Sequence, residues 1–432
     1  MTVKNLNKAE KSSVGESIDQ IIKRAVGLKA TYLHIEPDKE KVGMRLRVNG
    51  LLRDFGSLPK ARFSKIVDRL KTLANLNPSE RMIPQEGRFK LDSIGKNLSL
   101  SVSILPTIDG EKVTIHILDE MSEVLSLSQL GYYGKNLSDI RETMAHDSGL
   151  ILVSGPADSG KSTSMISMLS LIDRSARTVF TLEDKVEQRL PGTLQTQINP
   201  RLKLNFATGL ASILRQDANV IMLSGLADSK TAGLVFRASR TNKLILSGLV
   251  ENSISKLISR LKYLGIDRNS IGSSLKLLTN QRLMRKLCSK CRVEVSLDQT
   301  QIEKLKKMFD IESRANISLL NQLENSYVSE LKDPGKTELS TTSTRIKKFY
   351  RASEDGCKEC ESSGYEDRIG VFEVVKMSDK LQSLISTDSD WSSIYAAALR
   401  QGTIPLIVDA LVKSLAGQVS FDDCLKLLSS PL

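Results

Sequence analysis

Apolar residues along this chain recur first at helical spacing and then at strand spacing. Ile18, Ile21, Ile22 and Ala25 lie one to four positions apart, which predicts an amphipathic helix beginning near Glu16. Val42-Gly-Met-Arg-Leu-Arg-Val48 alternates and runs into Asn49-Gly50, the signature of a β-hairpin with a tight turn. A helix around Phe63–Leu73 and strands near Gly87–Leu91, Leu98–Ile104 and Lys112–Leu118 complete an expected α+β domain over residues 16–120. The polar residues 1–15 read as a disordered tail, and 121–145 as a linker with a short helix.

The pattern changes at Leu150-Ile-Leu-Val153, a continuous apolar run of the kind found in parallel strands buried on both faces. Similar runs at Thr178–Leu182, Val220–Leu223 and Leu244–Leu246 alternate with helical stretches. The expectation is an α/β domain with a parallel sheet over 146–287. Residues 288–375 hold two cysteine pairs and a polar insertion, with a Lys-rich helix at Glu303–Phe309 and a mobile loop at Lys332–Thr344. Residues 376–432 read as a helical tail broken at Ile404-Pro405 and at Gly417.

Gly155-x4-Gly160-Lys161-Ser162 follows the first buried strand and precedes a helix. In that setting a P-loop has physical meaning, because consecutive backbone N–H groups and the helix N-terminus form an anion cradle. Gly155, Ser159, Gly160, Lys161, Ser162 and Thr163 are the candidate nucleotide-binding residues, with Lys161 on the β- and γ-phosphates and Ser162 on Mg²⁺. Asp158 carries two readings. A carboxylate inside the cradle about 4 Å from a phosphate costs on the order of 4 kcal/mol; alternatively, Asp tolerates left-handed backbone and points to water.

Composition narrows the field. The 432 residues suffice for two or three domains, and 40% hydrophobic with 26% charged residues excludes wholesale disorder. An excess of 62 basic over 50 acidic side chains favours anionic partners, from nucleotides to nucleic acid or an acidic membrane surface, or is simply a solvated basic exterior. No apolar run reaches the ~18 residues of a spanning helix, and the start lacks a secretory apolar core, so a cytoplasmic protein is expected. Cys288-x2-Cys291 and Cys357-x2-Cys360 form two knuckles able to supply four thiolates to one Zn²⁺. Unligated thiols are the other reading, and Cys424 fits a packed core position.

Several ordered segments resemble the ATP-binding motor subunits of type II secretion and type IV pilus assembly (the secretion protein E type). Ala30-Thr-Tyr-Leu-His-Ile-Glu-Pro37 resembles the family's ASDIHIEP, Pro84-Gln-Glu-Gly-Arg88 its PQDGR, and Leu105-Pro-Thr-Ile-Asp-Gly-Glu-Lys112 its LPTxxGEK. Thr181-Leu-Glu-Asp-Lys-Val-Glu187 resembles the aspartate box TIEDPVE; Gln197-Ile-Asn199, Ile213–Asp217 and Asn280–Cys288 also match family segments. The resemblance implies a RecA-like P-loop core with an N-terminal α+β domain, a tetracysteine zinc module and a helical C-terminal tail. It implies ATP, Mg²⁺ and Zn²⁺ as cofactors, and Glu183 as the catalytic group polarising water; a surface or helix-capping acid is the alternative. Arg45, Arg47 and Arg88 fall where the family places arginines that reach ATP. The implied partners are further copies in a ring, an inner-membrane secretion or pilus platform at which the protein would be peripheral, and an active ATPase paralogue.

Departures gather where the chemistry belongs. The family's DPDVIMVGEIRD is here Asp217-Ala-Asn-Val-Ile-Met-Leu-Ser-Gly-Leu-Ala-Asp228, with Gly225 at the glutamate and Ala227 at the arginine. In the histidine box, Lys243 and Val250 replace histidines. Phosphoryl transfer rests on positioning and charge stabilisation, so these losses together point to weak or absent hydrolysis and a regulatory or structural role. Two other readings stand beside it: a working hexameric motor in which Asp228 or Glu251 makes good the loss at Gly225, and a nucleic-acid translocase, against which the upstream motifs argue.

Overall fold

The apolar periodicities convert into two compact units, residues 17–123 supplying most of the first and 124–429 most of the second. The structure, a computed structural model, describes residues 17–93, 96–118, 123–296, 314–332, 349–387 and 389–429. The expected tail 1–15, the Lys-rich stretch 303–309 and the segment 333–344 lie outside the described residues.

In the first unit, Ser17 opens helix Ile18–Gly27 through a reciprocal capping box with Gln20. Strands β1 (Tyr32–Pro37), β2 (Val42–Val48) and β3 (Leu51–Leu58) follow, then helix Lys60–Leu73 and strands β4 (Gln85–Ser93), β5 (Lys96–Thr107) and β6 (Gly110–Leu118). They form an antiparallel sheet in the order β3-β2-β1-β6-β5-β4. Asn49 and Gly50 take φ of +50° and +82°, as the β2–β3 hairpin turn requires. Alternation sends Leu33, Ile35, Met44, Leu46, Val113 and Ile115 into the core with both helices. It leaves Arg45, in a bidentate pair with Glu36 (2.8 and 2.9 Å), and Arg47, on the Gly50 carbonyl (2.7 Å), on the opposite face.

In the second unit, helices Leu127–Leu130 and Gly134–Met144 lead into β7 (Gly149–Ser154) and helix Lys161–Leu169. The sheet continues through β8 (Val179–Glu183), β9 (Leu194–Gln197), β10 (Val220–Leu223), β11 (Leu244–Leu249), β12 (Leu275–Leu287) and, after the short pair β13 (Val293–Val295) and β14 (Phe349–Arg351), β15 (Tyr365–Lys376). Its order is β15-β12-β7-β11-β10-β8-β9, and the five pairings from β12 to β9 are parallel. Helices cover both faces. Leu150 and Leu152 of β7 pack into one apolar cluster, Ile151 and Val153 into another, which explains a strand without polar alternation. Leu127, Leu137, Ile140 and Met144 are buried in that second cluster.

The polar insertion contains helix Arg314–Lys332, whose Tyr327 is buried with Tyr133 and the tail. Among the described residues the tail has four helices, Asp379–Ser386, Trp391–Arg400, Leu406–Leu415 and Phe421–Ser429; Pro405 opens the third, and Gly417 at φ +70° separates the third from the fourth. Among the described residues no helix is long and apolar enough to cross a membrane.

Candidate functional site

Parallel register brings the carboxyl ends of β7, β11, β10 and β8 to one edge, where open α/β sheets bind ligands. Leu249 of β11 lies beside Ser154 of β7, and Leu223 of β10 lies between Ser247 and Leu182. The P-loop, Ser224-Gly225, Val250–Asn252 and Glu183-Asp184 therefore follow those ends in sequence.

The loop leaves β7 at Gly155, φ +155°, where a Cβ would stand 2.4 Å from Ser159 Oγ and 2.5 Å from the Gln281 carbonyl oxygen. Only glycine fits there. Gly160, φ +82°, turns the chain into helix Lys161–Leu169 with no side-chain cap, leaving first-turn N–H groups for an anion. Lys161 Nζ donates to the carbonyls of Gly155 (3.1 Å) and Pro156 (2.6 Å). Burial pushes its pKa down, Asp158 opposes this and Arg282 adds to it. Ser159 is buried, and its Oγ has no hydrogen-bond partner among the described residues. Ser162 is half-buried and Thr163 exposed in the first turn. Asp158 takes left-handed backbone, φ +58°, and is exposed, so of its two readings the outward one describes this loop.

Glu183 ends β8 and is buried, which removes its reading as a surface acid. Its Oε1 accepts from Thr181 Oγ1 (2.5 Å) and Gln195 Nε2 (3.2 Å). The Asp184 N–H donates to Ser224 Oγ (2.9 Å), and burial raises the Asp184 pKa. At Gly225 an added Cβ would meet nothing within 4 Å, so the position is open and carries no acid. Asp228 caps helix Ser229–Ala238, accepting from Thr231 N (2.8 Å) and Thr231 Oγ1 (3.1 Å). Val250 is exposed, and Lys243 donates to the Ala218 carbonyl (2.9 Å).

Beyond Asn280, which pairs with Ser154, β12 continues past the P-loop. Gln281 Nε2 donates to the Ser159 carbonyl (2.7 Å), and Arg282 reaches the carbonyls of Asn252 (2.5 Å) and Gln281 (3.0 Å). Residues 280–288 carry no local motif for a nucleotide site; parallel pairing of β12 with β7 is what brings Gln281 and Arg282 beside Lys161.

The four thiols of Cys288, Cys291, Cys357 and Cys360 lie within 4.8 Å of one another. Cys357 Sγ and Cys360 Sγ are 3.7 Å apart, close to the ~3.8 Å that two sulfurs on a tetrahedral Zn²⁺ at about 2.3 Å require. Cys360 Sγ accepts from the N–H groups of Cys357 and Gly364, both at 3.2 Å, which suits a thiolate. The donor set fits zinc. Cys424 is buried apart from these four, and burial raises its thiol pKa.

The sequence profile of the family described as Type II/IV secretion system protein matches residues 7–426. The Type II secretion system ATPase E of Vibrio cholerae is 32% identical over 95% of this chain and 74% of its own length. The Type IV pilus assembly ATPase PilB of Thermus thermophilus is 30% identical over 96% of this chain, which spans 43% of that protein. Among solved structures, the Legionella pneumophila ATPase DotB superimposes with a TM-score of 0.65 at 16% identity, covering 96% of this chain and 95% of its own. The pilus retraction motor PilT with bound ADP gives 0.60 at 17% identity, covering 96% and 98%.

Proposed function

Since the chain belongs to the type II/IV secretion system protein family, we propose that it is a nucleotide-binding subunit of a type II secretion or type IV pilus machine whose hydrolysis is weak or lost, acting in a regulatory or structural role. One observation carries the reading: a formed P-loop faces a sheet edge that is open and acid-free at Gly225. The phosphate side is kept, with first-turn N–H groups, Lys161 and the orphaned Ser159 hydroxyl. The metal side is reduced. The capping role of Asp228 supports this reading over one in which Asp228 makes good the loss at Gly225.

In this reading Lys161, Ser162 and Thr163 would hold Mg·ATP, with Mg²⁺ supplying charge neutralisation at the phosphates, and the cysteine quartet would hold a structural Zn²⁺. Glu183 would be the remaining acid able to orient a water. Further copies in a ring, an inner-membrane platform and an active paralogue are the proposed partners. Removing one transition-state contact costs roughly 3 kcal/mol, or about a hundredfold in rate, so two independent losses bring a slow motor below ordinary detection. The test is steady-state phosphate release by the full chain beside Lys161→Ala. We expect the two to differ by less than a few-fold. Turnover on the order of one per second, abolished in the control, would establish an active motor and overturn the reading.

A further inference from the structure

The second unit carries a groove of about 570 Å³ between helix Phe206–Ile213, helix Ser229–Ala238 and the turn Gly265–Asp267, lined by none of the P-loop residues. Buried Phe236 and Ile266 make its floor apolar, and Ala207 and Ala211 leave room above it. Its rim is cationic. Lys230, Arg237 and Arg240 are exposed, fall on one side of the helix and its following turn, and make no ion pair among the described residues. The carboxylate lining the groove, Asp267, caps helix Arg268–Ser274 by accepting from Ser270 N (2.9 Å).

Gly233 gives the groove its shape. It lies between Lys230 and Arg237 in the interior of helix Ser229–Ala238, where glycine costs about 0.5–1 kcal/mol relative to alanine. Neither backbone geometry nor packing calls for it, since its φ is not left-handed and an added Cβ would meet nothing within 4 Å. What it does is keep the wall open between two cations.

Three cations against one engaged acid, over an apolar floor, complement a ligand that joins carboxylates to a bulky apolar group. A phosphate ligand fits less well. Each helix bordering the groove has one first-turn N–H already taken, by Asn205, Asp228 and Asp267 respectively, which leaves fewer backbone donors for phosphate oxygens. We infer that this groove docks an acidic segment of a partner protein, which seats one large apolar side chain on Phe236 and Ile266 and sets its carboxylates against Lys230, Arg237 and Arg240.

The experiment selects random 16-residue displayed peptides on the immobilised full chain and measures recovered peptides by fluorescence anisotropy. Enriched peptides should be acidic with an aromatic or aliphatic anchor. Gly233→Leu, which fills the groove while improving helix propensity, and the pair Arg237→Glu with Arg240→Glu should each weaken them at least tenfold. Unchanged or higher melting temperature in Gly233→Leu separates blockage from misfolding, and unchanged binding of labelled ATP separates this site from the P-loop. Several results would overturn the proposal: no enriched peptide, peptides without acidic character, peptides indifferent to both variants, or a change of oligomeric state in Gly233→Leu, which would make the groove a contact between copies. Binding to phosphatidylglycerol vesicles that Gly233→Leu abolishes, without peptide binding, would assign the groove to a membrane surface instead.

Discussion

Lys161 and Arg282 are neighbouring, half-buried cations held on neutral oxygens, the first on two loop carbonyls and the second on the carbonyls of Asn252 and Gln281. Neither has an ion pair among the described residues, and each group's burial lowers its pKa. Adjacent cations without an ion-pair partner among the described residues, whose burial outweighs the attraction of Asp158 and Glu373, suit a polyphosphate, because an anion between them relieves their repulsion. We therefore expect Arg282→Gln to weaken ATP binding about tenfold, ~1.4 kcal/mol, and AMP binding little, by titration with labelled nucleotides. Equal losses for both nucleotides would mean that Arg282 only shapes the loop. A second expectation concerns Gly225, whose surroundings leave room for a side chain. Gly225→Glu with Asp158→Gly should fold normally and raise Mg·ATP affinity before it raises phosphate release, since Ala227 and Val250 still stand where the resemblance implies an arginine and a histidine. Turnover that rose without a change in affinity would contradict this.

At the scale of elements, the helix Leu406–Leu415 is held to β15 by a fully buried pair. Lys413 Nζ contacts Asp409 Oδ2 at 2.6 Å and the Gly370 carbonyl at 2.7 Å, while Asp409 also accepts from the Phe372 N–H at 2.8 Å. Burial raises the pKa of Asp409 and lowers that of Lys413, and each charge counters the other's shift. Removing one partner strands the other, so Asp409→Ala should cost about 3–5 kcal/mol in denaturant unfolding, whereas Asp409→Leu with Lys413→Met should recover most of it. The cysteine knuckles act at the same scale, since Cys288 follows β12 directly and Cys357 and Cys360 precede β15. Elemental analysis should find about one Zn²⁺ per chain purified without added metal, and its chelation should lower the melting temperature. Well under half an equivalent would count against a metal site.

For the whole molecule, the proposed ring draws support from the first unit's surface. Met82, Ile83, Leu105 and Ile108 are all exposed, and the pairings Gln85 with Ile104 and Thr107 with Gly110 put them at one end of the sheet. Large apolar side chains gathered in this way mark interaction sites. Light scattering with Mg·ATP should show a species larger than a dimer, which Ile108→Asp with Met82→Ser should reduce. A strict monomer under every nucleotide condition would defeat the ring.

What is local or strictly periodic could be read from the residues alone. Helix Ile18–Gly27, the Asn49-Gly50 hairpin, the apolar strand β7, the P-loop and the breaks in the tail were legible because spacing, a cap or a turn residue specifies each without distant help. The rest depended on which segments the fold brings together. Asp158 had two readings until the backbone at φ +58° turned it outward. Glu183 became a buried, hydrogen-bonded acid through Gln195, twelve residues away. Arg282 came to lie beside the loop after β7 because parallel pairing of β12 with β7 brings together residues more than a hundred positions apart, and the groove around Gly233 exists only where separate helices meet. Local pattern carries the energetics of single elements; which elements become neighbours depends on burying both faces of one sheet together, and that is written in no single segment.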